Sequence, residues 1–289
     1  MAGAEKHFLR RCGSVSCAAP RSCESAKTAD MAKTDLMNPP ASPIIVIPSR
    51  LGATRLPGKP LADIHGLPMV VHVWRRAVAA AVGPVVVACA EAAIADAVRQ
   101  AGGEAVPTRP DHASGSDRIC EAVEALDPAG RHDAVINLQG DLPTIAPEVI
   151  RAVLTPLSDP AVDIATVAAP INDAAERGDP NVVKVAADFA SGRIARAVYF
   201  SRAPVPWDGG DATRPLYHHI GVYAFRRQAL RRFVALPPTG LEARERLEQL
   251  RALEAGMRID VALVDTIPLG VDTPADLARA RALLAPASR

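Results

Sequence analysis

Lysine is scarce in this chain, supplying only five of its 33 basic residues, with arginine making up the rest. Aromatic side chains are also few, at 3% of the sequence. No apolar run approaches the ~20 residues of a membrane-spanning helix, which argues against membrane insertion. Neither sign of charge is in excess, and a net charge of +1 argues against a general nucleic-acid binder, whose basic surplus would cover one face. The five cysteines (Cys12, Cys17, Cys23, Cys89 and Cys120) form no CxxC pair and no metal-ligand spacing. Cys89 and Cys120 stand in alanine-rich surroundings as small core residues, a usage that fits a reducing cytoplasm. What is present, 49% apolar and 22% charged residues over 289 positions, suits one large soluble α/β domain or two modest ones.

Residues 1–42 differ in character from the rest of the chain. They carry no hydrophobic periodicity and no apolar core long enough for a secretory signal. They are expected to be a disordered extension, or to precede a true start at Met31 or Met37, with a single domain over 43–289.

From Pro43 the pattern alternates. "PIIVIP" (43–48) is a short apolar run bounded by prolines, as in a buried strand. "MVVHVWRRAVAAA" (69–81) reads as a helix and "PVVVACA" (84–90) as a second strand. Ile94, Ala97, Val98 and Ala101 share one helical face, as do Ile119, Ala122, Val123 and Leu126. "EAVPT" and "DAVINLQ" (133–139) are further strands, and a helix opens near Pro147. Such alternation predicts an α/β fold with a mainly parallel sheet flanked by helices, whose ligands bind beyond the carboxyl ends of the strands. The loops at those ends are 49–60, 108–118 and 139–143. The second half is less regular. "DIATVAAPI", "VVKVAAD", "RIARAVYFSR" and "YHHIGVYAF" are four strand-like runs, some antiparallel. "LEARERLEQLRALEAG" (241–256) reads as one amphipathic helix with pairs such as Glu242–Arg246, and "TPADLARARALLA" as a closing helix.

The loop "PSRLGATRLPGKPL" (48–61) brings Arg50, Arg55 and Lys59 together with Gly52 and Gly58 at the end of the first strand. Guanidinium forks, an ammonium and backbone amides freed by glycine make a polyphosphate cradle. Five residues separate the two glycines and Pro60 follows Lys59, so it is not a P-loop, and Pro60 offers no hydroxyl to Mg²⁺. The dinucleotide pattern G-x-G-x-x-G is absent too. Asp141 in "QGDLP" and Asp272 in "GVDTP" each follow a strand-like run. Each suits a turn or a helix cap, and two carboxylates meeting at one sheet edge suit Mg²⁺.

Eight blocks in this order, "PSRLGATRLPGKPL", "TRPDHASGSDRI", "NLQGDLP", "PNVVKV", "VYFSRAPVPW", "HHIGVY", "LEQLRALEAG" and "GVDTPADL", resemble the 3-deoxy-manno-octulosonate cytidylyltransferases, or CMP-Kdo synthetases, over about residues 43–285. The resemblance implies a nucleotide-diphospho-sugar transferase-like fold with a mixed or antiparallel sugar-binding and dimerisation part. It implies Mg²⁺ dependence, a cytoplasmic homodimer, and transfer of CMP from CTP to Kdo with release of pyrophosphate, a step toward lipopolysaccharide. By the same resemblance Arg50, Arg55 and Lys59 would bind the triphosphate. Arg109, Ser114, Gly115 and Gln139 would surround cytosine and ribose, with Gln139 also near the sugar. Asp141 and Asp272 would hold Mg²⁺, and Arg202, His219, Tyr223, Glu248 and Gln249 would line the Kdo pocket. Arg50, Arg55, Lys59, Asp141 and Asp272 form the expected catalytic set.

Other readings stand beside this one. His219 in a strand is equally a half-buried, hydrogen-bonded residue, with His218 on the opposite face. Lys184 is a second phosphate or metal-side contact, or an edge-strand charge. The family usually has Gln-Gly-Asp-Glu-Pro where this chain has "QGDLP", so Leu142 is expected to alter polarity beside Asp141 without abolishing chemistry. Transfer to another sugar acid, such as a sialic acid or an 8-amino Kdo analogue, stays open, although "ATRLPGKPL" favours Kdo over sialic acid. A silent CTP-binding homologue also stays open, and Leu142 alone points there.

Overall fold

The run Pro43–Ser49 forms β1, and all seven of its residues are buried, as expected of a parallel strand covered on both faces. The computed structural model describes residues 39–52, 55–209, 211 and 213–286. Most of the expected extension, together with Cys12, Cys17 and Cys23, lies outside the described residues. A small hairpin, β2 (Asp63–Ile64) and β3 (Leu67–Pro68), precedes α1 (Met69–Ala80). Then come β4 (Val85–Cys89), α2 (Ala92–Gln100), β5 (Glu104–Pro107), α3 (Gly115–Leu126), β6 (Ala134–Asn137) and α4 (Pro147–Ala152). The second half holds β7 (Ile164–Pro170), α5 (Ala174–Gly178), β8 (Lys184–Ala186), β9 (Ile194–Arg196), β10 (Tyr199–Ser201) and β11 (Tyr217–Arg226). It ends with α6 (Arg227–Ala235), α7 (Gly240–Glu245), α8 (Gln249–Glu254), β12 (Ile259–Leu263) and α9 (Pro274–Leu283).

The main sheet runs β5-β4-β1-β6-β11-β7-β12-β9, with β8 pairing β11 and carrying β10. β5, β4, β1 and β6 are mutually parallel. β11 runs antiparallel to both β6 and β7, which makes the second half mixed. The strand period of two divides the core. Ile45 and Ile47 pack with Val70, Ala77, Ile94 and Ile150 on one face. Ile44 and Val46 pack with Ile119, Val123, Phe225 and Phe233 on the other. Each fully buried Ile contributes about 1.5–3 kcal/mol relative to its exposed state.

Two expected elements are divided. "RIARAVYFSR" becomes β9 and β10 because successive amides find different partners: the Ala197 N–H donates to Ile259 O at 2.9 Å and the Val198 N–H to Ala186 O at 2.8 Å. The helix expected over 241–256 breaks at Arg246, whose φ of 55° is left-handed. The break turns Leu247 and Leu250 into the core and lets Arg251, not Arg246, pair with Glu242 at 2.5 Å.

Candidate active site

Beyond the carboxyl ends of β1, β5 and β6 the chain forms a cleft of about 300 Å³. Its lining includes Arg50, Lys59, Ser114, Gly115, Gln139 and Asp141. Two glycines shape it. Gly58 has φ +67° and starts the short 3₁₀ turn Lys59–Leu61, so a side chain there would be strained. Gly140 passes so near β1 that an added Cβ would lie 3.0 Å from Pro48 O.

The third wall is the start of α3. Ser114 caps this helix: its Oγ accepts from the Asp117 N–H at 3.2 Å, and the Asp117 carboxylate accepts from the Ser114 N–H at 3.1 Å. A helix N-terminus at this position favours anionic ligands. Arg118, one turn on, also lines the cleft and is buried. Its Nη1 donates to Thr108 Oγ1 at 2.5 Å and to Arg109 O at 3.0 Å, which holds the loop after β5 in shape. Arg109 itself is not part of the cleft lining. Its guanidinium is two-thirds exposed beside Asp111 and Glu121, and Glu121 also receives a hydrogen bond from His112.

The cleft ends at two carboxylates. Lys59 Nζ donates to Asp141 Oδ2 at 2.8 Å and to Asp272 Oδ1 at 2.9 Å. Arg55 Nη2 donates to Asp272 Oδ2 at 2.9 Å. Burial alone would lower the Lys59 pKa, but Asp141 and Asp272 outweigh it and hold the ammonium above the usual lysine value. The main chain reinforces the pairing, since the Val271 N–H donates to Asp141 O and the Leu269 N–H to Thr144 Oγ1, each at 2.9 Å. Asp272 precedes the Thr273–Asp276 capping box of α9. Burial would raise Asp276, but Arg279, Thr273 and nearby amides hold its pKa down at about 2. Among the described residues no three His, Cys, Asp or Glu side chains form a metal cluster. A divalent ion here would have two carboxylates and would complete its shell with water and phosphate oxygens, a donor set that fits Mg²⁺. Leu142, beside Asp141 in sequence, is a buried member of the hydrophobic core.

A second group lies across α3. His219 and Tyr223 sit on β11 with rings 5.4 Å apart, and Glu248 and Gln249 open α8. His219 is buried, and Thr166 Oγ1 lies 3.0 Å from its Nε2. Because the Thr166 hydroxyl donates to Val222 O at 2.8 Å, Nε2 supplies the proton to Thr166 Oγ1. Burial, helped by His218, drops the His219 pKa to about 3. Burial and Glu248 push Tyr223 far up. Glu248 is also raised by burial, against hydrogen bonds from Ser114 and Ser116. Ser116 Oγ donates to Glu248 Oε2 at 3.0 Å, while Glu248 Oε1 and Gln249 Nε2 are buried without a partner. The gap beside Ser116, Tyr223, Glu248 and Gln249 is about 10 Å³, room for one water. Arg202 stands apart, just after β10. Its Nη1 donates to Pro180 O and its Nε to Glu245 O, each at 2.8 Å.

Ser116 and Arg118 lie within the block "TRPDHASGSDRI" but carry no role from the sequence alone, and Glu245 falls outside every block, so only its turn spacing from Gln249 signals it.

The cytidylyltransferase family model matches residues 44–259. A 3-deoxy-manno-octulosonate cytidylyltransferase of Paramagnetospirillum magneticum is 65% identical over 244 residues, which is 84% of this chain and 98% of that protein. Its counterpart from Rhodospirillum centenum is 66% identical over 248 residues, 86% of this chain and 95% of that protein. The solved structure of a CMP:2-keto-3-deoxy-manno-octonic acid synthetase complexed with CTP is 42% identical with a TM-score of 0.77, over 85% of this chain and 99% of that one. With the cleft at the head of α3 and the paired aspartates at its end, these matches show that the chain belongs to the 3-deoxy-manno-octulosonate cytidylyltransferase family.

Proposed function

We propose that this chain transfers CMP from CTP to the anomeric 2-hydroxyl of Kdo, releasing pyrophosphate and forming CMP-Kdo. The observation that carries the reading is the meeting of Asp141, Asp272 and Lys59 at the end of a cleft walled by Arg50 and the N-terminus of α3. Such a reaction needs little covalent chemistry from the protein and is carried by positioning and charge neutralisation. The sugar hydroxyl oxygen bonds the α-phosphorus and gives up its proton to water as the α–β phosphoanhydride breaks and pyrophosphate departs.

Arg50, Arg55 and Lys59 take the triphosphate, and Ser114, Gly115 and Gln139 take the nucleoside. Arg109 reaches the base only by leaving Glu121. Asp141 and Asp272 would hold Mg²⁺, which when bound offsets the charge of the leaving pyrophosphate. Arg202 clasps the sugar carboxylate, while Tyr223, Glu248 and Gln249 meet hydroxyls and His219 backs them as a neutral ring. Glu248 Oε1 and Gln249 Nε2, buried and unpartnered, support this assignment, because such groups are costly unless a ligand satisfies them. A gap of about 10 Å³ must widen for the sugar to enter, so α8 is expected to shift when it binds.

The partner we propose is a second copy of this chain. Val198, 73% exposed, and Trp207, 89% exposed, offer apolar surface on the stretch flanking β10. Light scattering at micromolar protein tests this, with a single monomer mass as the contrary result. A cytoplasmic location fits CTP as substrate and the unpaired Cys89 and Cys120. Among the described residues no helix is long and apolar enough to cross a membrane.

Pyrophosphate release with CTP and, in turn, Kdo, 8-amino Kdo and a sialic acid tests the function. Turnover with Kdo supports it. Turnover with another acid alone transfers the reading to that acid, and CTP binding without turnover supports the silent homologue.

A further inference from the structure

Lys184 and Lys59 are the only lysines after residue 42, and the side chain of Lys184 is fully buried. It stands in β8 opposite Ser201 of β10 and His218 of β11. A buried ammonium is costly unless its donors are used. Here Nζ donates to Asp179 O at 2.6 Å and to Arg202 O at 3.1 Å. Burial lowers its pKa, with Asp179 opposing. Lys184 therefore reaches neither phosphate nor the paired aspartates, and it is not a solvated edge charge.

The two carbonyls it holds belong to the segments that orient Arg202. Asp179 precedes Pro180, whose carbonyl accepts from Arg202 Nη1, and the other carbonyl is that of Arg202 itself. Glu245 completes the frame: its carbonyl accepts from Nε at 2.8 Å and its carboxylate from the Arg202 N–H at 3.0 Å. One ammonium thus fastens the main chain beneath Arg202 to the turn that aims its guanidinium. A fork clasps a carboxylate through two parallel N–H···O bonds only in a fixed orientation. With Nε and one Nη1 hydrogen committed, the Nη edge is left for a ligand.

We propose that Lys184 is the positioning residue for Arg202 and thereby sets the site's affinity for the carboxylate of its sugar-acid substrate. The inference rests on the proposed reading of Arg202 as the carboxylate anchor. Lys184→Met keeps the length and apolar stem but takes the ammonium from both half-buried carbonyls, leaving Asp179 O only the Val182 N–H at 3.2 Å.

The test is steady-state kinetics on the full chain, varying CTP and Kdo separately, for Lys184→Met, Lys184→Arg, Arg202→Ala and Val185→Ala. Val185 is the apolar neighbour on the other face of β8, so it reports lost packing alone. For Lys184→Met the KM for Kdo is expected to rise about tenfold or more, the cost of one misplaced charge-assisted contact, while the KM for CTP changes less than about twofold. Lys184→Arg is expected to recover part of the loss, and Val185→Ala to leave both KM values in place. If Lys184→Met does not fold, Lys184→Gln, whose shorter amide reaches at most one of the two carbonyls, takes its place and is expected to raise the KM for Kdo more than the KM for CTP. A KM for Kdo that stays put, or KM values that rise together for both substrates, overturns the proposal. If Arg202→Ala itself leaves the KM for Kdo unchanged, the anchor reading fails, a result distinct from failure at Lys184 alone.

Discussion

Asp141 and Asp272 come from opposite halves of the sequence and meet on one ammonium, with Lys59 Nζ 2.8 Å from one carboxylate and 2.9 Å from the other. The backbone bond from Val271 to the Asp141 carbonyl holds the two turns together independently of any side chain. The carboxylates are therefore placed before a ligand arrives. That placement is the arrangement charge-neutralising catalysis requires.

Asp141→Ala and Asp272→Ala are each expected to lower kcat by about 10²–10³-fold, the range for loss of one preorganised electrostatic group. Circular dichroism and the melting temperature are expected to stay near wild type, because both side chains are partly exposed and the backbone tether remains. Pyrophosphate release and thermal melts check both statements. Activity within twofold of wild type in either variant contradicts the site.

Lys59→Ala removes the cation shared by the two aspartates and, on the proposed function, one contact to the triphosphate. Charge-assisted hydrogen bonds contribute about 1.5–3 kcal/mol, so kcat/KM for CTP is expected to fall about 10–100-fold. Initial rates over a range of CTP concentrations give the ratio.

The neutral, buried His219 ties stability to pH. Its folded pKa of about 3 lies below the unfolded value near 6.5, so between these values the unfolded chain binds the extra proton. Its stabilising contribution is complete above about pH 6.5 and is lost as pH falls toward 3, with a slope of about 1.4 kcal/mol per pH unit. His219→Gln keeps a donor for Thr166 and is expected to remove one proton's worth of that slope. Urea denaturation at pH 5 and pH 7 measures it, and equal slopes in the two proteins contradict the burial argument.

Leu142 packs into the core. Leu142→Ala is expected to cost about 2 kcal/mol, the lower end for a buried leucine because the site lies at the core's margin. A leucine at this position is accommodated by the core it joins. Chemical denaturation of the variant at neutral pH reads the loss.

The strands and helices of the first half were legible because buried parallel strands read as unbroken apolar runs and the helices keep a 3.6-residue stripe. The cation loop was legible because Arg50, Arg55 and Lys59 crowd the end of such a run. The second half was harder for local reasons. The Arg246 break arises at a left-handed residue that is not glycine, and no pattern of apolar spacing announces it. Lys184 reads as an ordinary charge in a strand, since its partners are backbone carbonyls, which are silent in sequence. The grouping of Tyr223, Glu248 and Gln249 around a water-sized gap depends on side-chain packing between β11 and α8, and spacing could propose those residues only through the family resemblance.

Mn²⁺ binding followed by electron paramagnetic resonance, with CTP present and Mn²⁺ standing in for Mg²⁺, tests most directly whether the two carboxylates act as one cation centre. Titration of the wild-type chain is predicted to show a tight Mn²⁺ in the CTP complex, weakened at least about tenfold in both Asp141→Asn and Asp272→Asn. Wild-type Mn²⁺ affinity in both variants would contradict the account.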